Sequence, residues 1–394
     1  MAQQSPSQEA PSQETPSQQL PTQARAVIIG GGVVGCSVAY HLTKLGWTDV
    51  VLLERKQLTC GTTWHAAGLI AQLRATQNMT RLAKYSQELY FSLEDETGVA
   101  TGIKRNGSIT VALTDERLEE LRRSAAMARA FGVEIDEIST DEISRHYPGL
   151  NVEDAIGGVW LPKDGQADPV NITQALAKGA RMRGARIIQG VKVTGILQEG
   201  GKAVGVETED GVIRSEFVVN CGGMWARDIG AMAGVSVPLH ACEHFYIVTE
   251  GIDGLKSNLP VLRVPDECAY YKEDAGKIML GAFEPNSKPW GMNGIPEDFE
   301  FDSLPEDFDH FEPILEKAVD RLPVLASAGI QTFFNGPESF TPDDRCILGE
   351  APELKNFYVA AGFNSVGIQS AGGAGMVLAE WMDKGNAPMD LWDV

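Results

Sequence analysis

The stretch "RAVIIGGGVVGCSVAYHLTKLGWTDVVLLERK", residues 25–56, decides the fold of this chain. It contains an apolar run at 26–29 and a second apolar run at 50–53. Short continuous apolar runs beside glycines are typical of strands that are buried on both faces. The stretch therefore predicts a strand, a turn, a helix and a second strand, which form the opening unit of a Rossmann-type fold.

The turn after the first run has the G-x-G-x-x-G spacing at Gly30, Gly32 and Gly35. These glycines permit a tight turn, close approach of the backbone to a pyrophosphate and close packing of the helix. Glu54 ends the second run, where it can accept hydrogen bonds from ribose hydroxyls, so a non-phosphorylated ribose is favoured over NADP. The motif does not separate FAD from NAD. Its position early in the chain, with no second such unit, favours FAD as a prosthetic group.

Two later segments are predicted to return to the nucleotide-binding unit. "EFVVNCGGMWARDIG", residues 216–230, has the pattern of a buried strand that ends at Gly222 and Gly223 and is followed by a helix. "FYVAAGFNSVGIQSAGGAGMVLAEWM", residues 357–382, has the pattern of a strand, a glycine-rich loop and a helix. Glycines in both segments let backbone amides approach a bound ligand.

The segment 240–335 differs, because strand-like runs alternate there with turn-rich stretches. The predicted fold class is α/β, with a Rossmann-type FAD-binding domain and an interleaved α+β substrate domain built on an antiparallel sheet. The predicted division is a disordered tail at 1–24, an FAD-binding domain at 25–100, 150–239 and 336–394, and a substrate domain at 101–149 and 240–335.

Composition excludes several classes of partner and site. The formal net charge of -21 would repel nucleic acid and anionic lipid. The six cysteines form no C-x-x-C pair, so neither a metal site nor a disulfide framework is expected. No apolar run reads as a membrane span, and the first 24 residues contain no Lys, no Arg and no apolar run, which argues against a secretory signal or a transit peptide. A cytoplasmic protein is expected.

Five motifs together resemble the FAD-binding half of the sarcosine and dimethylglycine dehydrogenase group, within the D-amino-acid-oxidase-like flavoproteins. The resemblance runs from about residue 25 to the end of the chain. The motifs are "TTWHAAGL" (62–69), "GVWLPKDGQADP" (158–169), "GPESFTPD" (336–343), "GEAPEL" (349–354) and "GFNSVGIQSAGGAG" (362–375).

The resemblance implies that His65 carries FAD through a bond from a ring nitrogen to the 8α-methyl carbon of the flavin. Ala66, Ala67 and Gly68 would leave room for the flavin edge. The alternative is a core histidine that hydrogen-bonds to the backbone. The complete predicted FAD site comprises Gly30, Gly32, Gly35, Glu54, Arg55, Thr62, Thr63, His65, Gly68, Leu69, Val193, Gly222, Trp225, Gly362, Ser365, Val366, Gly367 and Ile368.

The resemblance also implies oxidation of a small N-methyl amino acid of the sarcosine or dimethylglycine type. A hydride equivalent would pass from the N-methyl carbon to flavin N5, and the iminium would hydrolyse to formaldehyde and the demethylated amine. His244 is predicted as a base or amine-positioning group, with Tyr270 as its partner, or Tyr271 if the strand faces are reversed. Arg74 is predicted to bind the substrate carboxylate, and the alternative is an arginine on the protein surface. Gln369 stands where monomeric sarcosine oxidases have a carboxylate-binding lysine.

Several alternatives stay open at this point. The electron acceptor is either an electron-transfer flavoprotein or oxygen, and the substrate could be another small amino acid. The regulatory subunit of pyruvate dehydrogenase phosphatase shares "PLHACEHFY" (238–246) but lacks the flavin-linking histidine, so His65 argues for catalysis. Full-length relatives continue into a folate-binding half, whereas this sequence ends at "MDLWDV" (389–394), so we expect either a single-module enzyme or a fragment.

Overall fold

The computed structural model describes residues 19–394. Its helices are α1 Val33–Lys44, α2 Gln77–Thr97, α3 Asp115–Ala130, α4 Thr140–His146, α5 Pro169–Met182, α6 Ala226–Met232, α7 Phe308–Arg321 and α8 Gly367–Lys384. Its strands are β1 Gln23–Ile29, β2 Val50–Glu54, β3 Leu69–Ile70, β4 Ser108–Ala112, β5 Asp136–Ile138, β6 Gly157–Leu161, β7 Gly165–Gln166, β8 Arg186–Gln189, β9 Val193–Glu199, β10 Lys202–Thr208, β11 Gly211–Asn220, β12 His240–Thr249, β13 Val261–Val264, β14 Ala269–Asp274, β15 Lys277–Ala282, β16 Pro289–Trp290, β17 Ile330–Phe340, β18 Ile347–Glu350 and β19 Phe357–Ala361.

The first sheet contains the opening unit of the sequence. Its strands follow the order β18-β19-β11-β1-β2-β8, and β9 and β10 extend it as a hairpin beside the first half of β11. β1 lies between β11 and β2 and is parallel to both, as the sequence pattern predicted. The two later segments also return to this sheet, as β11 and β19.

Both faces of the first sheet are covered, which explains why β1 and β2 are apolar at successive positions. Ala26 and Ile28 pack against α1, α2, α5 and α8. Val27 and Ile29, on the opposite face, pack against the β9–β10 hairpin and α6. A strand buried on both faces needs apolar side chains pointing in both directions. The predicted doubly covered α/β layer is therefore confirmed.

The second sheet follows the order β16-β12-β15-β14-β13-β4-β6-β5, and β17 pairs with the other edge of β12. All its pairs are antiparallel except β13 with β4. Helix α7 covers one face, where Phe311 and Ile314 join an apolar core with Phe245 and Tyr271. The predicted antiparallel sheet is present, and its opposite face is turned toward the first unit.

Some domain boundaries predicted from the sequence do not coincide with the strands of the structure. β1 begins at Gln23, inside the predicted tail 1–24, because it pairs with β11 from that residue. Residues 1–18 of that tail lie outside the described residues. β6 pairs with β4 and β5 in the second sheet, although the predicted division at residue 150 assigned it to the FAD-binding domain. Within residues 19–394, no helix is both long enough and apolar enough to cross a bilayer.

Candidate functional site

The glycine turn, residues 30–35, joins β1 to α1. Two of its motif glycines are packed tightly against backbone atoms, whereas the third faces open space. Gly30 has a φ of 111°, and a Cβ there would collide with the carbonyl of Cys221. A Cβ at Gly35 would collide with the carbonyl of Gly30. A Cβ added at Gly32, the N-cap of α1, would meet only Thr63 Oγ1 among residues 19–394, at 3.2 Å. Gly30 and Gly35 therefore allow close packing, while Gly32 leaves space for a ligand.

Glu54, at the end of β2, accepts hydrogen bonds that hold this turn in place. Its carboxylate accepts hydrogen bonds from the backbone N–H of Gly31 at 2.7 Å and of Lys56 at 2.9 Å, and from Cys60 Sγ at 3.6 Å. The side chain is buried, yet it lines the cavity described next. Two carboxylate oxygens offer about four acceptor positions, so capacity remains for a ribose hydroxyl.

A cavity of about 780 Å³ extends from the glycine turn between the first sheet and the loops above it. Its walls come from the turn, the segment after β2, the loop before β9, the loop after β11, and the loop between β19 and α8. The predicted FAD residues that line it are Gly30, Gly32, Glu54, Arg55, Thr62, Thr63, Val193, Gly222, Trp225, Gly362, Ser365, Gly367 and Ile368. The size, the open Gly32 and the glycine-lined walls fit an extended dinucleotide.

The other predicted FAD residues do not line this cavity. Gly35 packs within the turn, and Gly68, with a φ of 72°, packs against the carbonyl of Ala167. Leu69 belongs to a small apolar cluster beside the second sheet. Val366 is the N-cap residue of α8. His65, the remaining member of the set, lies next to the cavity walls.

His65 ends a 3₁₀ turn, Thr63–His65, and its ring is buried against β17. The ring centroid lies 5.0 Å from that of Phe334. A Cβ on Gly336 would come within 2.7 Å of Nδ1, so only glycine leaves room for this ring. Nε2 is buried and has no hydrogen-bond partner among residues 19–394. A core histidine normally has its ring nitrogens satisfied, and Nε2 of His65 is unsatisfied among these residues, as are those of His240 and His310.

The surroundings keep the His65 ring neutral. Burial lowers its pKa to about 3, and the positive charge of His244 acts in the same direction. A neutral imidazole retains a nitrogen lone pair. The ring is therefore in the nucleophilic form near neutral pH.

Arg55 holds a loop that the sequence did not indicate as part of the site. Its guanidinium carbon lies 4.1 Å from the ring centroid of Trp225, and its N–H groups donate to the carbonyls of Glu297 and Phe299, each at 2.6 Å. Glu297 and Asp298 line the cavity. An irregular acidic loop has no periodicity that points to a ligand, so no sequence signal marked this wall.

The second sheet presents a row of cross-strand neighbours toward the first unit. Arg263 pairs with Tyr270, Tyr270 with Gly281, Gly281 with Tyr246, and Tyr246 with Phe334. Directly opposed residues share one face of a sheet, and so do residues two apart on one strand. His244, two residues before Tyr246, therefore lies on the same face, which we call the site face.

This register decides between the two candidate tyrosines. Tyr270 lies on the site face, in contact with Phe283 at 5.2 Å between ring centroids and in the apolar cluster that contains Leu69. Tyr271 points the other way and packs in the core under α7. The structure therefore places Tyr270, and not Tyr271, beside the predicted site.

His244 is held as a cation. Its Nδ1 lies 2.9 Å from Glu284 Oε2. Burial would lower the pKa of His244, but Glu338 and Glu284 outweigh burial and raise it to about 9. An imidazolium donates hydrogen bonds and cannot accept a proton, so of the two predicted roles the geometry favours positioning over that of a base.

Arg74 follows β3 and is partly buried, and its Nε has no hydrogen-bond partner in the described part of the chain. Burial lowers the pKa of Arg74 to about 10, and the charge of Arg263 adds to that effect. Gln369 lies on α8, with a buried Oε1 that has no hydrogen-bond partner among the described groups. Arg263 was not predicted, because a single arginine in a strand pattern carries no functional signal.

Comparisons with known proteins agree on the family. The family model described as "DAO: FAD dependent oxidoreductase" matches residues 25–381. The chain is 41% identical to human "Sarcosine dehydrogenase, mitochondrial", over 93% of this chain and 40% of that protein. It is 42% identical to "4-methylaminobutanoate oxidase (formaldehyde-forming)" of Paenarthrobacter nicotinovorans, over 93% of this chain and 44% of that protein.

A protein named as a regulatory subunit is as similar to this chain as the two oxidoreductases are. The chain is 41% identical to mouse "Pyruvate dehydrogenase phosphatase regulatory subunit, mitochondrial", over 94% of this chain and 42% of that protein. The chain thus spans less than half the length of these relatives. Among solved structures, L-proline dehydrogenase from P. horikoshii superposes with a TM-score of 0.85 at 28% identity, covering 94% of this chain and 96% of that one. The predicted family and fold are confirmed, and the chain belongs to the DAO family of FAD-dependent oxidoreductases.

Proposed function

We propose that this chain catalyses the FAD-dependent oxidative demethylation of a small N-methyl amino acid, with release of formaldehyde and the demethylated amine. Relatives with about 40% identity that are named for sarcosine and 4-methylaminobutanoate support the substrate class. The observation that carries the proposal is the buried, neutral His65, whose Nε2 has no partner among the described residues. It supports catalysis because the resemblance gives a flavin-linking histidine to the catalytic members and not to the regulatory subunit.

The residues of the cavity fit FAD. The N–H groups at the start of α1 and the open side of Gly32 would hold the pyrophosphate, and Glu54 would accept from a ribose hydroxyl. Bound FAD would supply the two-electron acceptor for the N-methyl carbon. His65 would hold the flavin through a bond between Nε2 and the 8α-methyl carbon. Gly336 supports this role because it gives the ring its space.

On the site face, His244 and Tyr270 would orient the amine. Glu284 lies on the Nδ1 side of His244 and keeps the cationic ring in place, so this ring would lie beside the amine. A nearby cation also disfavours the ammonium form of the substrate, and only the neutral amine can be oxidised at the adjacent carbon. Burial raises the pKa of Tyr270, so its phenol stays protonated. Arg74 would bind the carboxylate.

Anaerobic reduction of the bound flavin tests the proposal. We expect sarcosine, dimethylglycine or 4-methylaminobutanoate to bleach the flavin absorbance, and formaldehyde to appear in equal amount to reduced flavin. Readmission of air then distinguishes the acceptors: fast reoxidation indicates oxygen, and slow reoxidation indicates an electron-transfer flavoprotein. Absence of bleaching with every N-methyl amino acid would contradict the proposal.

A second candidate function is regulation without turnover, favoured by the 41% identity to the phosphatase regulatory subunit. A third is oxidation of another small amino acid. Glycine and proline in the same anaerobic assay address the third. Bound flavin that no amine reduces would favour the second.

A further inference from the structure

Glu338, on β17, is a buried acid in the wall of the FAD cavity. It is 9% exposed, and its Oε2 accepts a hydrogen bond from the hydroxyl of Ser365, in the loop before α8. Within residues 19–394, its Oε1 accepts no hydrogen bond and neither oxygen has a Lys or Arg partner. Buried carboxylates are normally hydrogen-bonded and paired with a cation, so Oε1 calls for a cationic donor.

The strand register places Glu338 on the site face beside His244. Gly336 is the direct cross-strand neighbour of His244, and Cys242 is that of Glu338. Glu338 is therefore a diagonal neighbour of His244, at a distance of about 7–8 Å that long side chains can span. The His65 ring lies over Gly336, since a Cβ there would come within 2.7 Å of Nδ1. Glu338 thus lies close both to the ring proposed to link the flavin and to the ring proposed to orient the amine.

The amine substrate brings a proton that has to be removed. An alkylammonium group has a pKa near that of lysine, about 10, so a small N-methyl amino acid is protonated on nitrogen near neutral pH. The N-methyl carbon can be oxidised only after this proton has left. His244 cannot accept the proton, because Glu338 and Glu284 keep its ring cationic by raising its pKa to about 9.

The other titratable groups around Glu338 are poor acceptors as well. Burial lowers the pKa of His65 to about 3. Glu284 has both oxygens engaged, since Oε1 accepts from the backbone N–H of Phe245 at 2.9 Å and Oε2 lies 2.9 Å from His244 Nδ1. Burial raises the pKa of three further neighbours, which therefore keep their own protons: Cys242, Tyr246 and Tyr270. Of these groups, Glu338 alone offers a carboxylate oxygen without a donor in the described part of the chain.

We propose that Glu338 binds the ammonium group of the substrate and takes its proton, as a further catalytic residue of the demethylation. This inference rests on the proposed function. One N–H bond of the ammonium group breaks, an O–H bond forms at Oε1, and the electron pair of the broken bond stays on nitrogen. Before the transfer, the charges of Glu284 and Glu338 are balanced by His244 and the ammonium group. Ser365 holds the carboxylate in place through Oε2.

The pH profile of kcat/KM tests the proton transfer, with the N-methyl amino acid that reduces the flavin fastest. In the wild type, kcat/KM should be nearly constant between about pH 6.5 and 8.5, because the protonated substrate is productive. In Glu338→Gln only the neutral fraction of the substrate can react. Its kcat/KM should therefore rise about 10-fold per pH unit over this range and be about 100-fold below the wild type near pH 7.

The matched control for this profile is Glu243→Gln. Glu243 precedes His244 on β12, points to the opposite face and accepts from Asn335 Nδ2 at 2.8 Å. Its variant should keep the constant profile of the wild type. A purely structural acid would change the height of the profile but not its slope, so equal slopes in the wild type and Glu338→Gln would overturn the proposal.

Two unreactive analogues test the cation site without turnover. Trimethylammonioacetate and 3,3-dimethylbutanoate have the same shape, but only the first carries a positive charge on its quaternary centre. Titrated into the oxidised holoprotein and followed by the flavin spectrum, the first should bind with a Kd about 10-fold lower than the second. This preference should disappear in Glu338→Gln and persist in Glu243→Gln.

The two tests separate the failure of Glu338 from that of the proposed function. Failure of every amine to reduce the flavin would contradict the proposed function, and the analogues would still test the cation site. Equal affinity of the wild type for the two analogues, or no binding of trimethylammonioacetate, would overturn the role of Glu338. The glutamine in Glu338→Gln keeps an oxygen that can accept from Ser365, so the flavin content of the variant should match that of the wild type.

Discussion

The glycine turn and the site face differ in how far apart their residues stand in the chain. The turn uses residues 30–35, within one strand–helix connection, together with Glu54 at the end of the next strand. The site face joins Arg263, Tyr270 and His244 from three strands, and His65 reaches it from the other unit. A dinucleotide-binding turn can therefore be recognised by its spacing, whereas the site face exists only through the strand register.

The largest predicted effect comes from a substitution in the glycine turn. Gly35→Ala places a methyl group against the carbonyl of Gly30 and close to the Cβ of Cys221, and should destabilise the fold by about 3 kcal/mol or more and abolish flavin binding. Urea denaturation and flavin content measure the two effects. Gly251→Ala, where no atom of the described residues lies within 4 Å of the new methyl group, is the control and should be neutral. Normal flavin content in Gly35→Ala would refute the packing account.

The second prediction concerns the charge of His244. Its folded pKa of about 9 lies above the ordinary value of 6.5, so protonation stabilises the fold. This stabilisation is complete below about pH 6.5 and is lost as the pH rises through 9, by at most about 3 kcal/mol. The free energy of unfolding should therefore fall between these values in the wild type and stay flatter in His244→Gln. Parallel profiles would contradict an imidazolium at this position.

The third prediction sharpens the choice between neighbouring tyrosines. Tyr270→Phe should lower kcat/KM by about 10-fold, since one hydrogen bond to the substrate is lost. Tyr271→Phe should leave kcat/KM unchanged, because Tyr271 packs under α7 and its hydroxyl is buried without a partner in the described residues. Steady-state kinetics of both variants measure the two changes in kcat/KM. A larger effect at Tyr271 would mean that the strand faces are reversed.

The parts of the molecule that depend on local spacing were predictable from the sequence. The β1–α1–β2 unit, its parallel pairing and the turn glycines were all visible in residues 25–56. The cavity-lining residues 222, 225, 362, 365, 367 and 368 were also predicted. Three features were not predictable: which tyrosine lies on the site face, the pairing of His244 with Glu284, and the position of Arg263 on that face. They depend on strand register and burial, which arise only when distant strands meet.

The role of His65 is the central claim, and covalently held flavin tests it most directly. The purified protein is precipitated with acid and washed, and flavin fluorescence is measured in the polypeptide and in the supernatant. We predict fluorescence that stays with the polypeptide and maps to a peptide containing His65, that is lost in His65→Ala, and that persists in His240→Ala, whose Nε2 is likewise buried without a partner among residues 19–394. Release of all flavin from the wild type, or retention of bound flavin by His65→Ala, would contradict the account.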